Sequence, residues 1–211
     1  MTVRTPVVFQ VDNNGKVQVD PNPDPELPYL PLIMALNFRS TYNKVDSFSE
    51  LVKELGIEVV ICVETWERQK LPLEQLLRST GLTVISKCRQ KVRNNQPGGG
   101  CMILVDPNRF FIIEPNIQVP DGVEVIWTVI SPKKMPKFAK IKNICIASVY
   151  ISPKSRFKKQ TIAHLVESIQ LMKSYYDNDV KYVISGDFNK VSVEDILDIH
   201  GSLQSIQTEP T

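Results

Sequence analysis

Five polar residues stand at or just beyond the ends of apolar segments that read as buried strands. Layered α/β proteins bind ligands at the carboxyl ends of their strands, and a carboxylate placed there is partly desolvated. Such a carboxylate needs a compensating cation or hydrogen-bond donors. One Glu, one Asp and carboxamides suit a hard cation such as Mg²⁺, which prefers oxygen ligands and retains waters at positions that a phosphate can take. The five residues are Asn37 near the end of LIMALNF, Glu64 after VVICV, Tyr150 at the end of ICIASVY, and Asp187 and Asn189 after KYVISG.

Each of these residues also has a simpler structural explanation. Glu64 could cap a helix or turn that begins at Thr65, and Asp187 could be an ordinary turn residue after a glycine. Asn37 could form an Asx turn, and Tyr150 could be a core tyrosine at an interface. A single such explanation is easy to accept, but polar residues at the ends of several separate strands favour a common site.

The elements that would position these residues alternate from Leu32 onward. Apolar and β-branched runs predict strands, and apolar residues at helical spacing predict helices, two of them ended by Gly56 and Gly81. The predicted strands cover 32–38, 57–63, 82–88, 100–105, 110–114, 123–130, 143–151 and 181–189, and the predicted helices cover 45–55, 71–81, the region around 162–172, and 191–201.

This order of elements predicts an α/β layered protein. The strands within 100–114 and 123–151 fit antiparallel pairing, because their connections are too short for crossover helices. The most economical architecture is a pair of mixed sheets with helices outside. The glycine triplet in PGGGC (97–101) follows no strand-to-helix transition and lacks the Lys-Ser/Thr ending of a phosphate-binding loop.

Composition narrows the class of protein. The chain has 211 residues, 42% hydrophobic and 23% charged, which excludes a disordered protein, a collagen-like repeat and a disulfide-stapled miniprotein. The net charge is only +2, so attraction for a polyanion must come from local patches or a bound metal. Without a secretory signal or an apolar stretch long enough for a membrane, we expect an intracellular protein, nuclear or cytoplasmic, with reduced cysteines.

Residues 1–30 differ from the rest of the chain. Five prolines between positions 21 and 31 come too often for a helix or a central strand. We interpret 1–30 as a flexible or loosely docked leader and 31–211 as the folded domain.

The polar motifs resemble the successive motifs of the endonuclease/exonuclease/phosphatase superfamily. LNFRS, VETW, SVYISP and SGDFN carry the five residues named above in matching order and spacing, and GGGCMILV looks like the glycine-led strand of that superfamily. Within it, NFRSTYNKVDSFSELV followed by VICVETW is most similar to the apurinic-type endonuclease domains of LINE-like non-LTR retrotransposons. The resemblance runs from about Pro31 to Asn189.

The resemblance implies a four-layered α-β-β-α sandwich of the DNase I type, with two mixed sheets, and metal-dependent phosphodiester hydrolysis. Glu64 would hold Mg²⁺ (or Mn²⁺) with help from Asn37. Asp187 would orient or deprotonate the attacking water, Asn189 would hold the scissile phosphate, and Tyr150 would stabilise the phosphate charge or the leaving oxygen. The implied function is a DNA-nicking endonuclease of a retroelement, with no membrane and no small-molecule cofactor.

The histidines depart from the family pattern, which ends with a Ser-Asp-His motif. His164 lies among core-facing residues of a predicted helix, and His200 follows SGDFN too closely and lacks the preceding Ser-Asp. We therefore expect the last strands and this motif to be missing from the domain. Two other functions stay open: a catalytically silent remnant that at most binds nucleic acid, and a phosphatase acting on another phosphoester.

Two lysine-rich segments, 131–143 and 152–159, flank the strand that ends at Tyr150. They could be ordinary solvated loops or a patch that follows the phosphate backbone of DNA. On the second interpretation Lys154, Arg156 and Lys158 contact phosphate. Arg89, Lys91 and Arg93, just before the glycine triplet, could add to the patch.

Overall fold

A computed structural model describes residues 9–11, 17–19, 31–67, 71–87, 89, 98–134, 142–176 and 180–192. The predicted leader lies outside these residues except for β1 (Phe9–Val11) and β2 (Val17–Val19), which pair antiparallel with each other. The predicted final helix lies outside them except for residues 191 and 192.

The first large sheet contains four strands in the order β3-β4-β6-β5. Its β3 is parallel to β4, whereas β6 runs antiparallel to both β4 and β5, so the sheet is mixed. The strands are β3 (Ile33–Asn37), β4 (Val59–Val63), β5 (Thr83–Lys87) and β6 (Cys101–Val105).

Two helices cover the outer face of this sheet. The helix α1 (Val45–Leu55) buries Phe48 and Val52 and ends where Gly56 adopts a left-handed conformation (φ 62°), as predicted. The predicted helix 71–81 is shorter and broken: α2 (Leu73–Leu76) is followed by a 3₁₀ turn (Arg78–Thr80). The hydroxyl of Thr80 donates to the Leu77 carbonyl at 2.7 Å, a local bond of the kind that competes with a regular helix.

The second large sheet has the order β10-β9-β8-β7 and is also mixed. Parallel β9 and β10 are joined through the crossover helix α3, and β7, β8 and β9 form the predicted antiparallel run. The elements are β7 (Phe110–Ile113), β8 (Glu124–Pro132), β9 (Asn143–Tyr150), α3 (Lys158–Tyr176) and β10 (Val180–Asp187).

The strands β6 and β7 do not pair, although the sequence favoured antiparallel pairing of neighbours in this region. A tight turn separates them, in which the backbone N–H of Phe110 donates to the Asp106 carbonyl at 3.1 Å. The turn directs the chain from the first sheet to the second, where β7 pairs with β8. Short connections exclude a crossover helix, but they do not require pairing within one sheet.

The two sheets pack face to face between the helices and form the predicted α-β-β-α sandwich. In β4, Val60 and Cys62 pack toward α1 and α2, whereas Val59 and Ile61 pack toward the second sheet. The outer face of the second sheet packs against Leu165 and other apolar residues of α3. Alternation of side chains along each strand thus separates three apolar layers.

Cys62, Cys101 and Cys145 are buried and free of disulfides, and Cys88 lies outside the described residues. In the described part of the chain, no helix has the combination of length and apolar character that crossing a bilayer requires.

Candidate active site

The carboxyl ends of β3, β4, β9 and β10 meet at one edge of the sandwich. Side chains along a strand point alternately to its two faces, so residues two or four positions apart lie on the same face. The polar residues at this edge lie on the same face as apolar residues that pack between the sheets, and they therefore enter the layer between the sheets. Ile144 and Ile146 pack between the sheets, and Ser148 and Tyr150 continue their side of β9. The Ser148 hydroxyl donates to the Cys62 carbonyl at 2.7 Å and joins the two sheets directly beneath this edge.

Asn37 and Asp187 reach the same layer by the same rule. Ile33 in β3 and Val183 in β10 pack between the sheets, and Asn37 and Asp187 lie four residues further along those strands. Tyr150 and Asp187 are direct partners in the parallel register of β9 and β10. The strand register therefore brings these residues to one edge, where the sequence analysis predicted them.

The amide of Asn37 joins two carboxylates from different sheets. Its Nδ2 donates to Glu64 Oε1 at 3.1 Å and to Asp187 Oδ2 at 3.3 Å, although these residues are 27 and 150 positions away. Both carboxylates therefore lie within one hydrogen bond of a single nitrogen atom. Asn37 Oδ1 accepts from the backbone N–H of Arg39 at 3.1 Å and closes an Asx turn. Asn37 therefore forms this turn with its amide oxygen while its amide nitrogen contacts the two carboxylates.

Asp187 has the same double role. Its Oδ1 accepts from the backbone N–H of Asn189 at 2.9 Å, while Oδ2 faces Asn37. The carboxamide Nδ2 of Asn189 donates to the Ile151 carbonyl at 2.7 Å and ties the turn after β10 to the end of β9. One hydrogen of that NH₂ group makes this bond, and the second is a further donor at the rim of the cluster.

Backbone conformations with positive φ concentrate at this edge. In the described residues, every non-glycine residue with positive φ follows β3, β4 or β10 within three positions. Such conformations cost about 1–3 kcal/mol each and persist where the surrounding structure imposes them. In Glu64 the left-handed turn ends the alternation of β4 and directs the carboxylate toward Asn37. The non-glycine residues with positive φ are Arg39 (44°), Ser40 (85°), Glu64 (53°), Trp66 (52°) and Asn189 (53°).

Tyr150 lies at the end of β9 with only 9% of its surface exposed, in contact with Val63 and Cys101. Burial raises the pKa of its hydroxyl to about 12, and the charge of the hydrogen-bonded Glu64 carboxylate acts in the same direction. The guanidinium carbon of Arg89 lies 5.5 Å from the centre of the tyrosine ring. The positive charge of Arg89 opposes this increase in the pKa of Tyr150. Tyr150 is consequently a neutral hydroxyl donor at physiological pH.

Glu124 and the glycine triplet also belong to this edge, and the sequence did not predict Glu124. It is the first residue of β8 and the register partner of Tyr150. Its Oε1 accepts from Arg89 Nε and its Oε2 from the backbone N–H of Gly100, each at 2.8 Å. Because β8 runs antiparallel to β9, its beginning lies where β9 ends. The available signal was a charged residue near the start of the mostly apolar segment VEVIWTVI (123–130).

The phosphate-contact residues predicted after β9 are separated from the first lysine-rich segment. Lys154 and Arg156 follow the end of β9 that carries Tyr150, and Lys158 opens α3. The described part of the first segment lies at the opposite end of β8 and β9, where Lys133 Nζ donates to the Pro107 carbonyl at 2.5 Å. The described residues of the first segment, 131–134 and 142–143, therefore do not share a patch around Tyr150 with Lys154, Arg156 and Lys158.

Comparison with known proteins identifies the fold. A scan against protein-family models and a search of curated proteins both find no match. The human Nocturnin catalytic domain with bound sulfate is similar in structure, with a TM-score of 0.58, 14% identity, and 83% of this chain matched to 71% of that one. The 2′,3′-cyclic phosphatase ANGEL2 with adenosine-2′,3′-vanadate gives a TM-score of 0.54, 16% identity, and coverage of 82% and 62%. An endonuclease/exonuclease/phosphatase family protein from Bacteroides thetaiotaomicron gives a TM-score of 0.51 with 14% identity, and 79% of this chain matches 67% of that one.

This chain has the fold of the endonuclease/exonuclease/phosphatase superfamily. It spans between 62% and 71% of the length of these three structures.

The superfamily resemblance implies a catalytic histidine, but the one histidine within the described residues, His164, lies on α3 and not in the cluster of Asn37, Glu64 and Asp187. His164 is 5% exposed on α3, where Nε2 lies 3.4 Å from the Ser168 hydroxyl. Burial lowers the pKa of its imidazole, which suits a packed neutral side chain. His200 lies outside the described residues, as do Lys91 and Arg93.

The donor set at the site fits a hard cation with few protein ligands. Among the described residues there is no group of three or more His, Cys, Asp and Glu side chains placed so that they could together hold a metal ion. Glu64 and Asp187 supply two carboxylates bridged by the Asn37 amide. Mg²⁺ is commonly bound through one or two carboxylates while it retains several waters, so two carboxylates at an exposed edge are sufficient.

Proposed function

We propose that this chain is a Mg²⁺- or Mn²⁺-dependent phosphodiesterase that nicks DNA, as the endonuclease domains of non-LTR retroelements do. The observation that carries the proposal is the pair of carboxylates, Glu64 and Asp187, held within hydrogen-bonding distance of one Asn37 nitrogen at the junction of two sheets. Two like charges so close together favour a bound cation over an empty site.

Glu64 would hold the ion, with Asn37 orienting its carboxylate. A bound divalent cation supplies charge neutralisation at a phosphoryl oxygen, which lowers the barrier because the phosphorane gains negative charge. The left-handed backbone of Glu64 and the hydrogen bond from Asn37 fix the carboxylate before the ion arrives. Such preorganisation reduces what must be reordered during the reaction.

Asp187 is the group that would orient the attacking water and accept its proton. Both of its oxygens are held, one by the Asn189 N–H and one by Asn37, so its direction is fixed relative to the site. Asn189 would hold the scissile phosphate through the second hydrogen of its NH₂ group. Tyr150, protonated because its pKa is about 12, would shift its single O–H donor from Glu64 to a phosphoryl or leaving oxygen of the bound substrate.

DNA is the proposed substrate because the motifs NFRSTYNKVDSFSELV and VICVETW resemble retroelement endonucleases. With a net charge of only +2, the chain would draw DNA through local cations. Lys154, Arg156 and Lys158, which follow the strand end that carries Tyr150, are the proposed backbone contacts.

The test is nicking of supercoiled plasmid by the purified chain in Mg²⁺, in Mn²⁺ and in EDTA. We expect nicking only with a divalent ion, and Glu64→Gln or Asp187→Asn to reduce the rate by about 10²–10⁴-fold because each removes a group that acts in the transition state. Glu167→Gln, an exposed change on α3, is the matched control and should be neutral. Full activity in both site variants would contradict the assignment.

The same preparation separates the other two functions. Hydrolysis of nitrophenyl phosphate with the plasmid left intact would move the substrate class to phosphomonoesters. Salt-dependent binding of DNA without turnover in any metal would identify a binding remnant.

A further inference from the structure

A compact ion-paired group lies beside Tyr150, on the side away from Asp187. We call it the Arg89–Glu124 cluster, consisting of Arg89, Glu124 and Gly98–Gly100. The Arg89 and Glu124 side chains are 27% and 15% exposed and are joined by an Nε–Oε1 bond of 2.8 Å. The second carboxylate oxygen of Glu124 accepts the Gly100 N–H, so both oxygens of this half-buried acid are occupied.

The glycines make this packing possible. A Cβ at Gly99 would lie 2.5 Å from both Cζ and Nε of Arg89 and would overlap the Glu124 carboxylate. A Cβ at Gly100 would lie 2.6 Å from the Thr65 hydroxyl. Both glycines also have positive φ, 68° and 88°, so a side chain would be strained as well as crowded. The triplet therefore permits Arg89 and Glu124 to approach the site closely.

The register fixes where the cluster lies. Glu124 is the β8 partner of Tyr150, and Tyr150 is the β9 partner of Asp187, so the three residues form a row across the strand ends. The Arg89 guanidinium is 5.5 Å from the centre of the Tyr150 ring. Arg89 thus places positive charge on the flank of the site opposite the carboxylate of Asp187.

The ion pair with Glu124 uses only one of the five N–H donors of Arg89, the one on Nε. Glu124 accepts from Nε, and among the described residues neither terminal Nη group has a hydrogen-bond partner. A guanidinium has five N–H donors in a planar fork that matches the oxygens of a phosphate. A side chain held at Nε and against an aromatic ring loses little further freedom when the Nη groups bind an anion.

We propose that Arg89 binds a non-bridging phosphate oxygen of the substrate, and that Glu124 is a positioning residue that holds the guanidinium in place for this contact. The proposal deepens the phosphodiesterase function proposed above and rests on it. Glu124 acts through Arg89 and does not touch the substrate.

The kinetic test uses Arg89→Gln, Glu124→Gln and the double variant, with a labelled duplex oligonucleotide in Mg²⁺. Loss of a charge-assisted contact predicts an increase in KM of about 10- to 100-fold in Arg89→Gln, with kcat less affected. Glu124→Gln should raise KM in the same way, and the double variant should be no worse than Arg89→Gln, because both changes remove one contact. Lys181→Gln, an exposed change at the opposite end of β10, is the control for charge.

Binding without turnover keeps this inference separable from the proposed function. Anisotropy of the same duplex in EDTA should show a salt slope smaller by about one in Arg89→Gln than in the parent chain or Lys181→Gln. A parent chain that binds DNA in this way but never cleaves it would overturn the phosphodiesterase proposal alone. A parent that cleaves, with KM and salt slope unchanged in Arg89→Gln, would overturn this one.

Arg89→Lys covers the case in which Arg89→Gln is unstable. Lysine keeps the charge but lacks the planar fork, so an elevated KM with an unchanged melting temperature supports the proposed contact. A KM equal to that of the parent would contradict it. If Glu124→Gln lowers the melting temperature but leaves KM unchanged, Glu124 has only a structural role and the positioning claim fails.

Discussion

Gly186 is the position where one methyl group should do the most damage to the site. It lies in β10 opposite Val149, one residue before Asp187 and its partner Tyr150. A Cβ at this position would overlap the Val149 carbonyl oxygen and lie 2.8 Å from the carbonyl carbon and nitrogen of the same residue. These are backbone atoms, so the strain cannot be relieved by rotating a side chain.

The magnitude follows from two contributions. Gly186 has φ 150°, a conformation that costs a residue with a Cβ about 1–3 kcal/mol, and separating two packed strands adds about 1–3 kcal/mol. Together we expect Gly186→Ala to reduce the free energy of unfolding by about 2–6 kcal/mol, a large part of the usual total. Gly81→Ala is the matched control, because Gly81 has φ 75° but no atom within 4 Å of the added Cβ, which limits its cost to about 1–2 kcal/mol.

Urea denaturation followed by far-UV circular dichroism measures both variants. We expect the urea midpoint of Gly186→Ala to lie well below that of Gly81→Ala. In the absence of urea, Gly186→Ala should lose metal-dependent nicking, whereas Gly81→Ala should retain it. Equal midpoints for the two variants would refute the reasoning, because they would show that β9 and β10 do not pack as closely as described.

Three further predictions concern stability and burial. Glu58→Gln should lower the free energy of unfolding by about 1–3 kcal/mol in urea titrations, with exposed Glu50→Gln as control, because the 7% exposed Glu58 pairs with Arg109 and accepts the Leu32 N–H at 3.0 Å. Burial raises the pKa of Tyr150 and Tyr182 to about 12, so the folded chain holds these protons more tightly than the unfolded chain. Their contribution to stability is complete below about pH 10 and lost as pH rises through about 12, and Tyr150→Phe should make urea midpoints less dependent on pH in that window. Cys62, Cys101 and Cys145, whose thiol pKa values burial raises, should react with a thiol reagent at pH 8 only after denaturation, and fast labelling of all three in the folded chain would be inconsistent with this packing.

Much of the fold follows from local patterns. Gly56 ends α1 because a left-handed residue closes the helix, and the apolar run before Glu64 is a fully buried strand. Clustering of Asn37, Glu64 and Asp187 could be predicted because residues after parallel strands meet at one edge. The turns and the cluster are compatible, since Asn37 and Asp187 each use one side of their polar group for an Asx turn and the other for the cluster.

Other features depend on pairing that a local pattern does not encode. The apolar runs predict β6 and β7 as strands, but they do not show that the turn at Asp106 sends the two strands to different sheets. Glu124 was missed because it begins a strand, and only the antiparallel register of β8 and β9 brings it to Tyr150. The same register places the described residues of the lysine-rich segment that precedes β9, 131–134 and 142–143, at the end remote from the site.

Binding of Mn²⁺ to the whole chain, followed by electron paramagnetic resonance of the free ion, tests the central claim most directly. If Glu64 and Asp187 form one cation site, the parent chain should remove Mn²⁺ from solution, Mg²⁺ should compete, and Glu64→Gln should weaken the binding by at least about tenfold. Exposed Glu167→Gln should leave it unchanged. Equal binding by the parent and Glu64→Gln, or no binding by the parent, would contradict the account.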